Sequence, residues 1–124
     1  MHDVYFYKDK QGRQPVKEYI DELKTRTDKN SRVLLAKINS YIRYLMIAGK
    51  GAGLPYVKPI EGDIWELRPN SERIFFVAWN GDAFVLLHHY RKKSQKTPKQ
   101  EIARARREYK DLQERGLDDG KTKK

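Results

Sequence analysis

From Asp3 to Lys8, Val4, Phe6 and Lys8 alternate with Tyr5 and Tyr7, an aromatic and β-branched run that predicts a short strand. Asp9-Lys10-Gln11-Gly12 reads as a turn. Pro15 suits a first helical position, where its missing N–H costs nothing, and Val16, Tyr19, Ile20 and Leu23 recur at the spacing of one helical face. This helix is expected to end near Thr27. Asp28, Asn30 or Ser31 can cap a second helix, whose stripe of Leu34, Ile38, Tyr41, Ile42 and Leu45 runs down to Gly49. Helices so closely linked predict an antiparallel hairpin.

Over Gly49 to Asp63, GKGAGLPYVKPIEGD, the period is lost, and four glycines and two prolines predict a loop crossing from helices to sheet. Alternation then returns. Trp65 and Leu67 alternate with Ile64, Glu66 and Arg68; Pro69-Asn70-Ser71 turns the chain; Arg73, Phe75, Val77 and Trp79 alternate with Ile74, Phe76 and Ala78. Asn80-Gly81 predicts a type I′ hairpin, with Phe84 to Tyr90 as the returning strand. Thr97-Pro98-Lys99-Gln100 has the composition of a capping box, opening a helix with the narrow stripe Ile102, Ala105, Tyr109 and Leu112 and an end at Gly116. The predicted order is β-α-α-β-β-β-α, an α+β domain with helices packed on one face of a mainly antiparallel sheet. Residues 1–116 form the expected single domain, and 117–124, LDDGKTKK, a basic flexible tail.

Composition narrows the class. At 124 residues the chain can build one core without staples. With no cysteine it has neither a disulfide framework nor a thiolate metal site. Neither a signal-peptide run nor a membrane span is visible, so the expected location is the cytoplasm. A mean hydropathy of −0.93 describes a very polar surface, and a formal charge of +10 favours polyanionic partners, through counterion release at each phosphate contact. A GxxxxGK[ST] loop, an HExxH helix and a Cys/His ligand set are all absent, so neither a metal nor a cofactor is expected. His88 and His89 are neighbours on a strand and point to opposite faces, which prevents joint chelation of one ion.

The cations carry the candidate chemistry. Arg68 closes one predicted strand, Arg73 opens the next, and Arg91-Lys92-Lys93 closes the strand that returns to the same end of the sheet. Lys96 and Lys99 follow, beside a helix N-terminus suited to anions, and Lys58 in the preceding loop can reach a ligand. Such forks suit attack of an RNA 2′-hydroxyl on its neighbouring phosphate, where a pentacoordinate phosphorane needs charge stabilisation. The acid and base are to be sought among lysines, Tyr90, His89 and Glu66.

The succession IWELRP, ERIFFVAW and FVLLHHYRKKSQKTPKQEIARARREY, with its glycine- and proline-rich approach VKPIEGDIWELR, resembles the phage-derived HigB-like branch of the RelE/HigB toxin superfamily from the first strand to the last helix. The resemblance implies a RelE-like fold and a type II toxin: a ribosome-dependent mRNA interferase that cleaves translated mRNA, arrests growth, and is neutralised by an antitoxin with a helix-turn-helix domain. Carried over by position, Arg68 would bind RNA phosphate, Arg73 would stabilise the transition state, and Lys92 and Lys93 would hold phosphate or serve in proton transfer. Lys58, His89, Arg91, Lys96 and Lys99 are the further RNA-binding candidates. Two other classes use the same charge: a basic RNA- or ribosome-binding module that does not cut, and an interaction domain docking an acidic protein.

Overall fold

The computed structural model describes residues 1–117 and 122–123. Residues 118–121 and 124, most of the expected tail, lie outside the described residues. The elements in chain order are β1 (Val4–Phe6), α1 (Pro15–Thr25), α2 (Lys29–Ala48), a 3-10 turn (Gly49–Ala52), β2 (Val57–Glu61), β3 (Ile64–Leu67), β4 (Glu72–Trp79), β5 (Ala83–Arg91), α3 (Lys99–Arg115) and β6 (Thr122–Lys123). They form an α+β domain around a sheet of order β2-β3-β4-β5-β1-β6, antiparallel throughout except where β1 lies parallel to β5. Among the described residues no helix is long and apolar enough to cross a membrane.

Local chemistry explains most element ends. Pro15 stands at the start of α1, and the Asp28 carboxylate caps α2 by accepting from the Ser31 N–H at 3.0 Å. The expected Asn80-Gly81 hairpin is present, but as a three-residue connection: Trp79 pairs with Ala83 and the Asp82 N–H donates to the Asn80 carbonyl at 3.0 Å, so it is not the expected type I′ turn. Asn80 and Gly81 both have positive φ, 48° and 82°, a region that Asn and Gly enter most readily.

Three expectations are corrected. The segment expected to be a loop contains β2, which pairs antiparallel with β3 and places Lys58 opposite Glu66. Pro59 obscured this strand, but β2 lies at the sheet edge and its register shifts between Pro59 and Glu61, the two settings in which a sheet tolerates proline. Second, the helices cover both faces of the sheet. Val16, Ile20, Leu23, Ile38, Ile42 and Leu45 of α1 and α2 pack with Leu67, Ile74, Phe76 and Leu86, whereas Ala105 and Leu112 of α3 join Phe75, Val77, Val85 and Leu87 on the other side. Both faces of β4 are apolar, so each must be buried, at about 1.5–3 kcal/mol for each large side chain removed from water. Third, Thr97 is no helix cap. Pro98 occupies the cap position in extended conformation and α3 begins at Lys99 without a side-chain cap, leaving the Thr97 side chain to line a cleft under the preceding loop.

One irregularity decides which side chains of β5 share a face. Ile74 pairs with His89 and Phe76 with Leu86, so Phe75 faces two residues, Leu87 and His88. This bulge reverses the in-out phase of β5 beyond it. Leu87 and His88 both lie on the α3 side, His89 turns to α1, and Tyr90 returns to the α3 side.

Candidate functional site

At the end of the sheet reached by β2, β3, β4 and β5, a narrow cleft of about 10 Å³ opens on the α3 face. Its floor is strand side chains: Lys58 from β2, Glu66 from β3, Arg68 just past β3, Arg73 from β4 and Tyr90 from β5. Lys92, Ser94, Gln95, Lys96 and Thr97 of the loop before α3 form its wall. Alternation and pairing place the floor: Lys58 opposes Glu66, Arg73 opposes Tyr90, and the bulge turns Tyr90 to the same face.

Glu66 is the hub. It is 3% exposed, with Oε2 3.4 Å from Arg68 Nε and 3.7 Å from Arg73 Nε, and its Oε1 accepts from the Tyr90 hydroxyl at 3.4 Å. Burial raises its pKa above the ordinary carboxylate value, while Arg73, then Arg68 and Lys58, pull it partly back. Tyr90 is likewise raised by burial, against a hydrogen bond with Thr97 that lowers it. Arg73, 6% exposed, is held in place by donating from one terminal nitrogen to the carbonyls of Asn70 and Glu72, each at 2.8 Å. The arrangement combines a buried carboxylate that can exchange a proton, a fixed guanidinium and further cations around one spot, the parts list for charge development at a phosphate.

Of the sequence-derived candidates, Lys58, Arg68, Arg73, Lys92 and Lys96 are brought together here. Lys93 and Lys99 are exposed and do not line the cleft. His89 and Arg91 are on the opposite face, in a cavity of about 620 Å³ between α1, α2 and the β4–β5 strands. There His89 stacks on Tyr19 at 3.9 Å, and both His89 Nδ1 and Arg91 Nε lie 3.4 Å from the buried Glu72. Burial first, and then Glu72, push the Tyr19 hydroxyl up to about 12. Of the five cations expected to converge, Arg68, Arg73 and Lys92 do so, Arg91 lies across the sheet, and Lys93 is exposed outside the cleft. Ser94, Gln95 and Thr97 were not singled out from the sequence as site residues; the dense run from Lys92 to Pro98 was the only signal for them. Glu66 and Tyr90 stood only as possible acid or base, because a carboxylate inside an apolar strand does not by itself announce which side chains surround it.

No curated protein matches the chain. Residues 18–110 match the family described as Phage derived protein Gp49-like, which lies within the RelE/HigB-like toxin clan. The match covers well over half of the chain and includes every residue of the cleft. The chain thus belongs to the Gp49-like family of phage-derived proteins, a family of toxins of toxin-antitoxin systems.

Proposed function

We propose that this protein is the toxin of a type II system, close to the HigB-like branch, and acts in the cytoplasm as an endoribonuclease on mRNA held in the translating ribosome. The observation that carries the reading is the union, in one cleft, of Arg68, Arg73, Lys58, Lys92 and Lys96 with a buried carboxylate, Glu66, and a phenol, Tyr90. In the proposed reaction the RNA 2′-hydroxyl attacks the adjacent phosphorus, the bond from phosphorus to the 5′-oxygen breaks, and the products are a 2′,3′-cyclic phosphate and a 5′-hydroxyl. Glu66, made a stronger proton acceptor by its raised pKa, takes the 2′-hydroxyl proton. The departing 5′-oxygen receives a proton from Lys92 or Tyr90 at the cleft wall. Arg73 and Arg68 meet the phosphorane charge, so that no metal is needed for its stabilisation. A helix-turn-helix antitoxin is the expected partner.

Tightly controlled induction in bacteria, with primer extension on a translated reporter mRNA, tests this. Wild type should arrest growth and create 5′ ends within the reading frame that vanish when the start codon is removed. Arg73→Lys keeps the charge but cannot reproduce the guanidinium fork, and should lower cleavage by about 10²-fold or more. Arrest by both proteins without new ends moves the non-cleaving RNA-binding module ahead.

A further inference from the structure

The described residues expose few large apolar side chains, and most of these gather in one place. Val33, Tyr44 and Ile47, at 50%, 43% and 58% exposure, lie on α2, and Leu54, at 67%, lies in the segment that follows it; Met1 is the remaining case. Within α2 they join the exposed Ala36 and Ser40 in steps of three or four residues, Val33-Ala36-Ser40-Tyr44-Ile47, a single stripe about 21 Å long at about 1.5 Å per residue. Ile38, Ile42 and Leu45 point the opposite way, into the core. α2 therefore has two apolar faces, of which the outer one is open to solvent. Val33, Ser40 and Ile47 stand seven residues apart, the repeat with which one helix packs along another.

The charges beside the stripe are of one sign. α2 carries Lys29, Arg32, Lys37 and Arg43 and no acidic residue over its whole length. All four cations are exposed, and among the described residues none of them takes part in an ion pair. The neighbouring helices differ. On and just after α1, Lys17 and Lys24 pair with Asp21 and Arg26 with Glu22, and on α3, Arg104, Arg106 and Arg115 pair with Glu108, Glu61 and Asp111. At the N-terminal end of the stripe Lys29, Arg32, Val33 and Ala36 border a depression of about 460 Å³, room for a side chain laid across the helix. At its other end Tyr44 is held in place by stacking on Tyr56 at 4.1 Å.

We propose that the outer face of α2 docks an acidic amphipathic helix of a partner protein. The partner's apolar seam lies along Val33, Ser40 and Ile47, and carboxylates flanking that seam meet Arg32 and Arg43 on one side and Lys37 on the other. Charge selects this occupant. A second copy of the chain would set these cations against their own counterparts with no carboxylate between them. Phosphates alone would leave the exposed Val33, Ile47 and Leu54 without a counterpart. The face lies on the α1 and α2 side of the sheet, away from the cleft on the α3 side, so the docking does not depend on the cleavage proposed there.

The test uses a designed helix. A fluorescein-labelled peptide of about 21 residues, with leucine at heptad positions a and d, glutamate at e and g and alanine or glutamine elsewhere, is titrated with the purified protein and read by anisotropy. The glutamates keep the peptide from pairing with itself. Binding should saturate with a Kd of about 10 µM or below, and a shuffled peptide of the same composition should bind about tenfold more weakly or worse. Val33→Glu and Ile47→Glu alter exposed positions, so the fold should survive, as circular dichroism checks, and each should weaken binding by about tenfold or more. Arg32→Glu should weaken it about fivefold, whereas Lys110→Glu, at an exposed cation of α3, should leave it unchanged. Equal binding of the shuffled peptide, which needs no variant, overturns the proposal, as do equal effects of Arg32→Glu and Lys110→Glu or no binding at about 100 µM. Displacement of the peptide by single-stranded RNA or by phosphatidylglycerol vesicles assigns the face to nucleic acid or to membrane and overturns it as well. Self-association of the protein alone that Ile47→Glu abolishes assigns the face to a second copy, with the same consequence.

Discussion

Replacing His88 by leucine tests what holds α3, and with it the cleft wall, against the sheet. His88 is fully buried, with Nδ1 2.5 Å from Glu108 Oε1 and Nε2 3.0 Å from Glu101 Oε1. Both ring nitrogens face a carboxylate oxygen and can both donate only when the ring carries two protons. The Glu108 carboxylate is itself buried, and its other oxygen accepts from Arg104 Nε at 3.2 Å. Leucine leaves that carboxylate with the half-exposed Arg104 alone. Leaving a buried acceptor short of a hydrogen-bond partner costs about 1–3 kcal/mol, more when the group is a carboxylate, and the residual Arg104 contact keeps this case to about 3 kcal/mol. Glu101, a quarter exposed, turns to water at little cost. At this chain length Tm moves by about 4 °C per kcal/mol, so the melting point should fall by about 12 °C. The double variant His88→Leu/Glu108→Leu removes both partners and should recover about 2 kcal/mol, because exchanging both members of a buried hydrogen-bonded pair for apolar groups is close to neutral. Urea and thermal unfolding followed by circular dichroism read both values. A single variant within about 0.5 kcal/mol of wild type, or a double variant whose loss equals the sum of the two single losses, refutes this role for His88.

Glu66→Gln should lower cleavage by about 10²–10⁴-fold without weakening RNA binding, which separates proton transfer from phosphate grip in single-turnover and binding assays. Because burial raises the Glu66 pKa, the acid limb of the wild-type rate profile should lie above the ordinary value of about 4.3; a limb at or below that value removes Glu66 as the base. The same raised carboxyl contributes stability that is full below its ordinary pKa and lost as pH rises through its folded value. Asp111 has the opposite sign: Arg115 above all, and then the Tyr7 hydroxyl, hold it down to about 2, so its contribution is present above about 3.9 and lost as pH falls through about 2. Asp111→Asn should flatten that acid decline in urea midpoints by no more than about 1 kcal/mol, since the Arg115 pair is partly open to solvent. Arg91→Ala should change RNA affinity by less than about twofold, whereas Lys92→Ala should weaken it several-fold and reduce the salt slope by about one; equal losses would mean that RNA reaches both faces.

What the sequence determined by itself is what neighbouring residues decide among themselves. The spacing of Val16, Ile20 and Leu23, the Asp28 cap, the Asn80-Gly81 turn and the alternation along β3 and β4 all act within a few residues, and each element they predict is present. The convergence of Arg68 and Arg73 was legible for the same reason, since a short turn brings their strand ends together. Tertiary structure decided the rest, because it depends on partners distant in sequence. β2 exists as a strand because β3 offers it an edge, despite Pro59. Thr97 lines the cleft instead of capping α3 because Pro98 holds the cap position. The bulge at Leu87 and His88 appears only when β5 is laid against β4, and it carries His89 and Arg91 away from the cleft while bringing Tyr90 to Glu66 and Arg73. A single extra residue in a strand exchanges its two faces, so the membership of this site was set by strand pairing.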